Sequence, residues 1–205
     1  MRIAFEVIRR YELEDYVKLL YSNNEAAFSP YHNFCHGLSV LKYAEIISRL
    51  LNTTGVSKQL AIACLFHDFN HSAGKETDAW NVQTAIISMT GRLKPKHLYM
   101  MEDVAQIIQA TQYPYVVDRF DLTYEQAIIR DADLLQMIDG NYIQRIAIPL
   151  CTEMKWNIDE FRNAQTEFLN NIQFCFTESG TLFEVHKHNI LEQITDLADI
   201  LTYYK

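Results

Sequence analysis

SKQLAIACLFHDFNHSAGK, residues 57–75, sets an apolar run directly against two histidines four residues apart, with an aspartate after the first. From Ser57 to His67 the run is apolar on most sides, the pattern of a helix buried all round rather than one lying on a surface. Such a helix needs other helices around it, and the flanking sequence supplies them. In GLSVLKYAEIISRLLN, residues 37–52, Leu38, Leu41, Ala44, Ile47 and Leu51 recur at three- and four-residue steps. TDAWNVQTAIISMTG, residues 77–91, offers Thr77 as N-cap, Asp78 in the first turn and Gly91 as a stop. MEDVAQIIQAT, residues 101–111, repeats the pattern before Tyr113-Pro114. A further helix is predicted over 123–139, with Thr123 and Gln126 as a capping box and Gly140 at its end. IQRIAIPLCTEM, residues 143–154, reads as a helix interrupted at Pro149, and a longer one is predicted over 158–176. Ile190, Leu191, Ile194, Leu197, Ala198 and Leu201 trace a last apolar stripe. Only short runs such as YVV at 115–117 resemble strands. The expected fold is an all-α, compact multi-helix bundle forming one domain over 1–205.

Composition narrows the function. At 205 residues with 49% hydrophobic, the chain can bury a substantial core. The 18 Lys and Arg against 26 Asp and Glu argue against nonspecific binding to duplex nucleic acid, which depends on neutralising phosphates. They leave room for one small anionic ligand, because a bound metal reverses the local sign inside a pocket. No stretch approaches the roughly 20 apolar residues of a membrane span. MRIAFEVIRRYELEDY lacks the apolar core of a secretion signal. Cys35, Cys64, Cys151 and Cys175 form no C-x-x-C pair and read as reduced, mostly buried thiols of a cytoplasmic protein.

Ionisable residues gather in three places. YHNFCH carries His32 and His36, HDFNH carries His67, Asp68 and His71, and IIRDADLLQM carries Asp131 and Asp133 among core residues. Carboxylates set in an apolar helix need a partner, since an unpaired buried charge is costly. A divalent cation is one such partner. His36, His67, Asp68 and Asp133 would give it two nitrogens and two oxygens. Asp68 can turn its second oxygen to another ion about 3.5–4 Å away, and a shared water would be acidified towards hydroxide. Singly, each residue has a plainer explanation: His32 satisfied by backbone, His71 at a helix C-terminus, Asp131 or Asp133 paired with Arg130. Jointly they point to metal-assisted hydrolysis.

The order His36, His67-Asp68, Asp133 resembles the HD-domain metal-dependent phosphohydrolases over about residues 31–168. YHNFCH and HDFNHSAG are similar to the YHNxxH and HDxxHxG motifs of the cyclic-nucleotide phosphodiesterases, and the Ala132-Asp133-Leu134 context selects Asp133 over Asp131. AQTEFL resembles their QxxF element. The resemblance implies a first ion (Zn, Fe or Mn) on His36, His67, Asp68 and Asp133, with a second ion (Mg or Mn) bridged by Asp68. It implies His32 as general acid, with Glu76 or Asp78 polarising it or a ligand water, and His71 orienting water. Gln165 would bond a base edge, Phe168 would stack on the base, and Tyr31 and Gln136 would complete the substrate contacts. Lys75 reads as solvated. The chain departs from that pattern in shorter connections on either side of Asp133, in Gln136 where asparagine is common, and in Ala110-Thr111-Gln112 where an ATD segment stands.

The expected activity is hydrolysis of the phosphodiester of a small, most simply cyclic, nucleotide. Alternatives are an HD-type 5′-nucleotidase or deoxynucleoside triphosphohydrolase, a non-catalytic metal and nucleotide sensor, and a two-iron oxygenase. The last needs additional histidine ligands, and the sequence offers no further pair.

Overall fold

The computed structural model describes residues 1–203, with side chains through 201. Ten α-helices run in order: α1 (Arg2–Tyr11), α2 (Glu14–Asn23), α3 (Phe34–Leu50), α4 (Lys58–Phe66), α5 (Asp78–Thr90), α6 (Met101–Gln109), α7 (Tyr124–Leu135), α8 (Ile148–Met154), α9 (Ile158–Asn171) and α10 (Thr177–Tyr203). Short 3₁₀ turns at Pro95–Met100 and Gln136–Ile138 and a π-helical turn at Ile143–Ala147 complete the path. No strand occurs among the described residues, so the protein is an all-α bundle. No described helix is long and apolar enough to cross a membrane.

The helix expected to be central is central. Every residue of α4 from Leu60 to Phe66 is buried. It is packed by α3, α6, α2, α7, α1 and α5. α3 is its main neighbour on one side and packs in turn along α7. This trio holds the start of α3, the end of α4 and the last turn of α7 together, which matters below. Two caps follow the sequence, Thr77 accepting from Trp80 N–H and Thr123 with Gln126 forming the complete capping box, and Ser57 also caps α4 by accepting from Leu60 N–H. α1 is fixed to α3 by Arg10, whose guanidinium donates to the fully buried Glu45 carboxylate at 2.7 Å. Glu45 also accepts from Arg49 and from Val56 N–H. Gly55 has φ 106°, and a Cβ there would lie 2.7 Å from Glu45 Oε2, so only glycine fits that turn.

Four expectations change. Pro149 does not break a helix; it occupies the first turn of α8, where a missing N–H is not needed, after the π-helical turn. The helix expected to reach 176 stops at Asn171, because Ile172 is extended and the N–H groups of Cys175 and Phe176 turn onto Asp131. The final apolar stripe belongs to a much longer helix beginning at Thr177. Of the four thiols only Cys64 is buried, while Cys35 is exposed.

Asp131 is wholly buried, at the turn between α9 and α10, and accepts at 2.7 and 3.0 Å. Asp131→Ala would strand two backbone donors and should lower stability by about 2–3 kcal/mol. Denaturant unfolding measures this, and metal content should stay at the wild-type level.

Candidate metal centre

His36 lies in the first turn of α3, which Asn33 caps by accepting from Cys35 N–H and His36 N–H. His67 follows the last residue of α4. Its Nδ1–H donates to Cys64 O at 2.9 Å, using a carbonyl that the helix end leaves free. That bond fixes the tautomer and leaves the Nε2 lone pair pointing outward from α4. Asp68 is the next residue. Asp133 stands two positions after Asp131 on α7, and residues so spaced face different sides of a helix. Hence Asp131 braces α10 while Asp133 faces α3 and α4.

The ligand atoms of His36, His67 and Asp133 all lie within 4.8 Å of one another, and Asp68 Oδ2 lies against the two imidazoles. His36 Nε2 lies 3.1 Å from His67 Nε2, 3.0 Å from Asp68 Oδ2 and 3.2 Å from Asp133 Oδ1. His67 Nε2 lies 3.2 Å from Asp68 Oδ2 and 3.8 Å from Asp133 Oδ1. Four ligands at about 2.1 Å from a tetrahedral ion stand about 3.4 Å from one another, so these separations suit a first-row divalent cation. Both imidazoles are buried, and Asp68 Oδ2 faces their Nε2 atoms at 3.0 and 3.2 Å. The two carboxylates keep partial exposure on one side, which gives an ion a path in. The donor set and geometry fit a metal.

Without a cation, protons take its place. Burial opposes charge on His36, yet the Asp133 and Asp68 carboxylates drive its pKa up to about 10. His67 is raised as well, against its own desolvation, by Asp68 and Asp133. Asp68 is held well below the usual carboxylate range: burial opposes this, but the charge of His67 and the bonds to His36 and His67 outweigh it.

A second cluster sits beside the first. His32 Nδ1 bonds Glu153 Oε1, and Glu153 Oε2 accepts from the N–H groups of Tyr31 and His32 at 3.0 and 3.1 Å. The Glu153 side chain is fully buried, and its pKa is lowered: burial acts against this, and the bond to His32 overcomes it. The His71 ring stacks on His32 with centroids 3.7 Å apart. Ala73 N–H donates to His71 Nδ1, and the Asn81 amide lies 2.9 Å from Nε2. With both nitrogens engaged, His71 is neutral; burial and the neighbouring His32 bring its pKa down to about 4. His32, His71 and Glu153 are close enough to suggest a second ion site, but the His71 nitrogens are already occupied.

Both clusters open onto a cavity of about 280 Å³ whose wall includes Tyr31, His32, His36, Asp68 and Asp133. Gln165 and Phe168 form its opposite side, and the Tyr142 hydroxyl donates to Gln165 Oε1 at 3.0 Å. Gln136 is not on this wall. It is buried behind Tyr31 and donates to the Tyr31 hydroxyl, so it supports that ring instead of meeting a ligand. The carboxylate on His32 is Glu153, not Glu76 or Asp78: Glu76 is exposed, and Asp78 accepts from Tyr113 N–H. Lys75 is exposed and lies outside the cavity wall. Glu153, in the unremarkable stretch CTEMKW, and Asn81 carried no sequence signal. No protein-family model matches the chain, and a search of curated proteins finds no match.

Ligand imidazoles must be neutral, so loading Mn²⁺ or Zn²⁺ at pH 7 should expel at least one proton per ion, from His36. Calorimetry in buffers of differing ionisation enthalpy counts it. Asp133→Ala should abolish tight metal uptake while leaving the fold intact. Because the His36 pKa is raised on folding, its contribution to the metal-free fold is full below about pH 6.5 and is lost as pH rises through about 10.

Proposed function

We propose that the chain is an HD-type metal-dependent phosphohydrolase that cleaves the phosphodiester of a small nucleotide. One observation carries this reading. The four-ligand cluster and a carboxylate-paired histidine share a cavity wall, with the His32 and His36 rings 5.8 Å apart.

His36, His67, Asp68 and Asp133 would hold the first divalent ion, and Asp68 has a second oxygen for another. Bound there, such ions neutralise charge on the phosphoryl oxygens and lower the pKa of water. The remaining work belongs to the chain. Glu153 occupies His32 Nδ1, so the proton available for transfer is the one on His32 Nε2. That nitrogen delivers it to the departing sugar oxygen, a step worth about 10²–10⁴-fold. The buried carboxylate orients the ring, and neutral His71 supplies a stacking plate without competing for the proton. Tyr142 fixes the Gln165 carbonyl, leaving its NH₂ to donate to a base edge. Phe168 presents a ring to that base.

Charge separates a diester from a triphosphate. Among the described residues, no Lys or Arg lines the cavity, whereas Asp68, Asp78 and Asp133 do. A triphosphate chain would bring several negative charges against these carboxylates with no guanidinium to receive them. A phosphodiester carries one, which the ions offset. A pure sensor would have no use for the His32–Glu153 pair.

The test is turnover of cyclic nucleotides beside nucleoside mono- and triphosphates with added Mn²⁺. Diester hydrolysis should dominate. His32→Ala should keep its metal and lose about 10²–10⁴-fold in kcat, and Glu153→Gln about 10–100-fold. Full activity in His32→Ala, or a preference for triphosphates, contradicts the reading.

A further inference from the structure

The catalytic cavity does not end at Gln165 and Phe168. A second cavity of about 530 Å³ shares Tyr113, Tyr115, Leu134, Gln165 and Phe168 with it and continues along α9 to Trp156, Asn171 and Gln173. At about 280 Å³ the metal end alone falls just short of the range of about 300–1,000 Å³ usual for small-ligand sites, and the two compartments joined lie well inside it. A single nucleoside with its phosphate on the ions and its base against Phe168 leaves the larger compartment unfilled.

The chemistry of that compartment is specific. Its walls are aromatic and apolar, interrupted by the amides of Gln165, Asn171 and Gln173. Its one charged lining residue is Glu167, which repels a phosphate. Flat π-surfaces with amide donors and acceptors at the edge suit a nucleobase. The wall is also rigid. Tyr113 meets Phe168 edge-on with centroids 5.9 Å apart, and Tyr115 meets Tyr113 at 5.4 Å. Behind them the buried Arg130 lies 3.9 Å over the Tyr115 ring and donates to Ala110 O and Val117 O. A cation buried without a carboxylate partner, spent on holding one loop, keeps the aromatic corner formed before any ligand arrives.

We infer that the substrate is a dinucleotide: a phosphodiester with one base against Phe168 and Gln165 and a second base in the compartment of Trp156. The inference rests on the proposed phosphodiesterase reading and names its substrate class. Linear and cyclic dinucleotides share this chemistry.

The metal-loaded protein is assayed with a cyclic mononucleotide, a linear 3′,5′-dinucleotide, a cyclic dinucleotide and bis-p-nitrophenyl phosphate. One of the dinucleotides should exceed the mononucleotide in kcat/KM by about ten- to a hundredfold, the scale of one stacked base. Trp156→Ala should erase most of that ratio, and Trp156→Phe should restore it. The two dinucleotides tell the linear from the cyclic form. If the mononucleotide and the bis-aryl ester are cleaved but neither dinucleotide is preferred, the inference fails and the phosphodiesterase reading stands. Quenching by each nucleotide of the fluorescence of Trp156, made the sole emitter by Trp80→Phe at an exposed position, is the second readout, independent of turnover. Quenching by a dinucleotide with no hydrolysis of any diester upholds two-base occupancy and overturns the activity. Absence of quenching by either dinucleotide overturns the inference.

Discussion

Two imidazole nitrogens lie 3.1 Å apart, and each stands 3.0–3.8 Å from two carboxylate oxygens, an arrangement that a mostly buried place tolerates only with positive charge within it. Everything else in the site is arranged around that constraint. Desolvating carboxylates without compensation costs several kcal/mol each. The fold maintains the arrangement because three of the four side chains are anchored by something outside the cluster. Asn33 caps the helix that starts with His36, the Cys64 carbonyl holds His67, and Asp133 is fixed by the buried face of α7. Ligands pre-positioned in this way do not have to be ordered by the ion, so less of its binding energy goes into ordering the site.

α7 shows how one helix serves stability and chemistry together. Asp131 and Asp133 are two residues apart and so point to different sides. One receives the N–H groups of Cys175 and Phe176 and terminates the path from α9 into α10. The other completes the candidate ligand set. Arg130, between them and the preceding loop, secures the aromatic wall through Tyr115, Ala110 and Val117. Three roles within about one turn therefore hang on a helix whose remaining face is core.

Local patterns were legible where physics is local. The all-round apolar character of α4, the caps at Thr77 and Thr123, and the nearness of His67 and Asp68 could be read directly. So could His36 as their partner, once α3 was seen to pack on α4. What escaped depends on contacts distant in sequence. Glu153 reaches His32 and Tyr31 from more than a hundred residues away, in a segment with no pattern of its own. The end of α9 could not be placed, because the residues after it are drawn off by Asp131, which nothing nearby in the chain reveals. Gln136 was expected at the ligand; a turn of 3₁₀ helix after Leu135 instead carries it behind Tyr31.

The most direct measurement is anomalous X-ray scattering from crystals grown with excess Mn²⁺. The account predicts a peak bonded to His36 Nε2, His67 Nε2, an Asp68 oxygen and an Asp133 oxygen, each at about 2.0–2.3 Å. A density map without that peak, with His36 instead protonated and bonded directly to the two carboxylates, would contradict it.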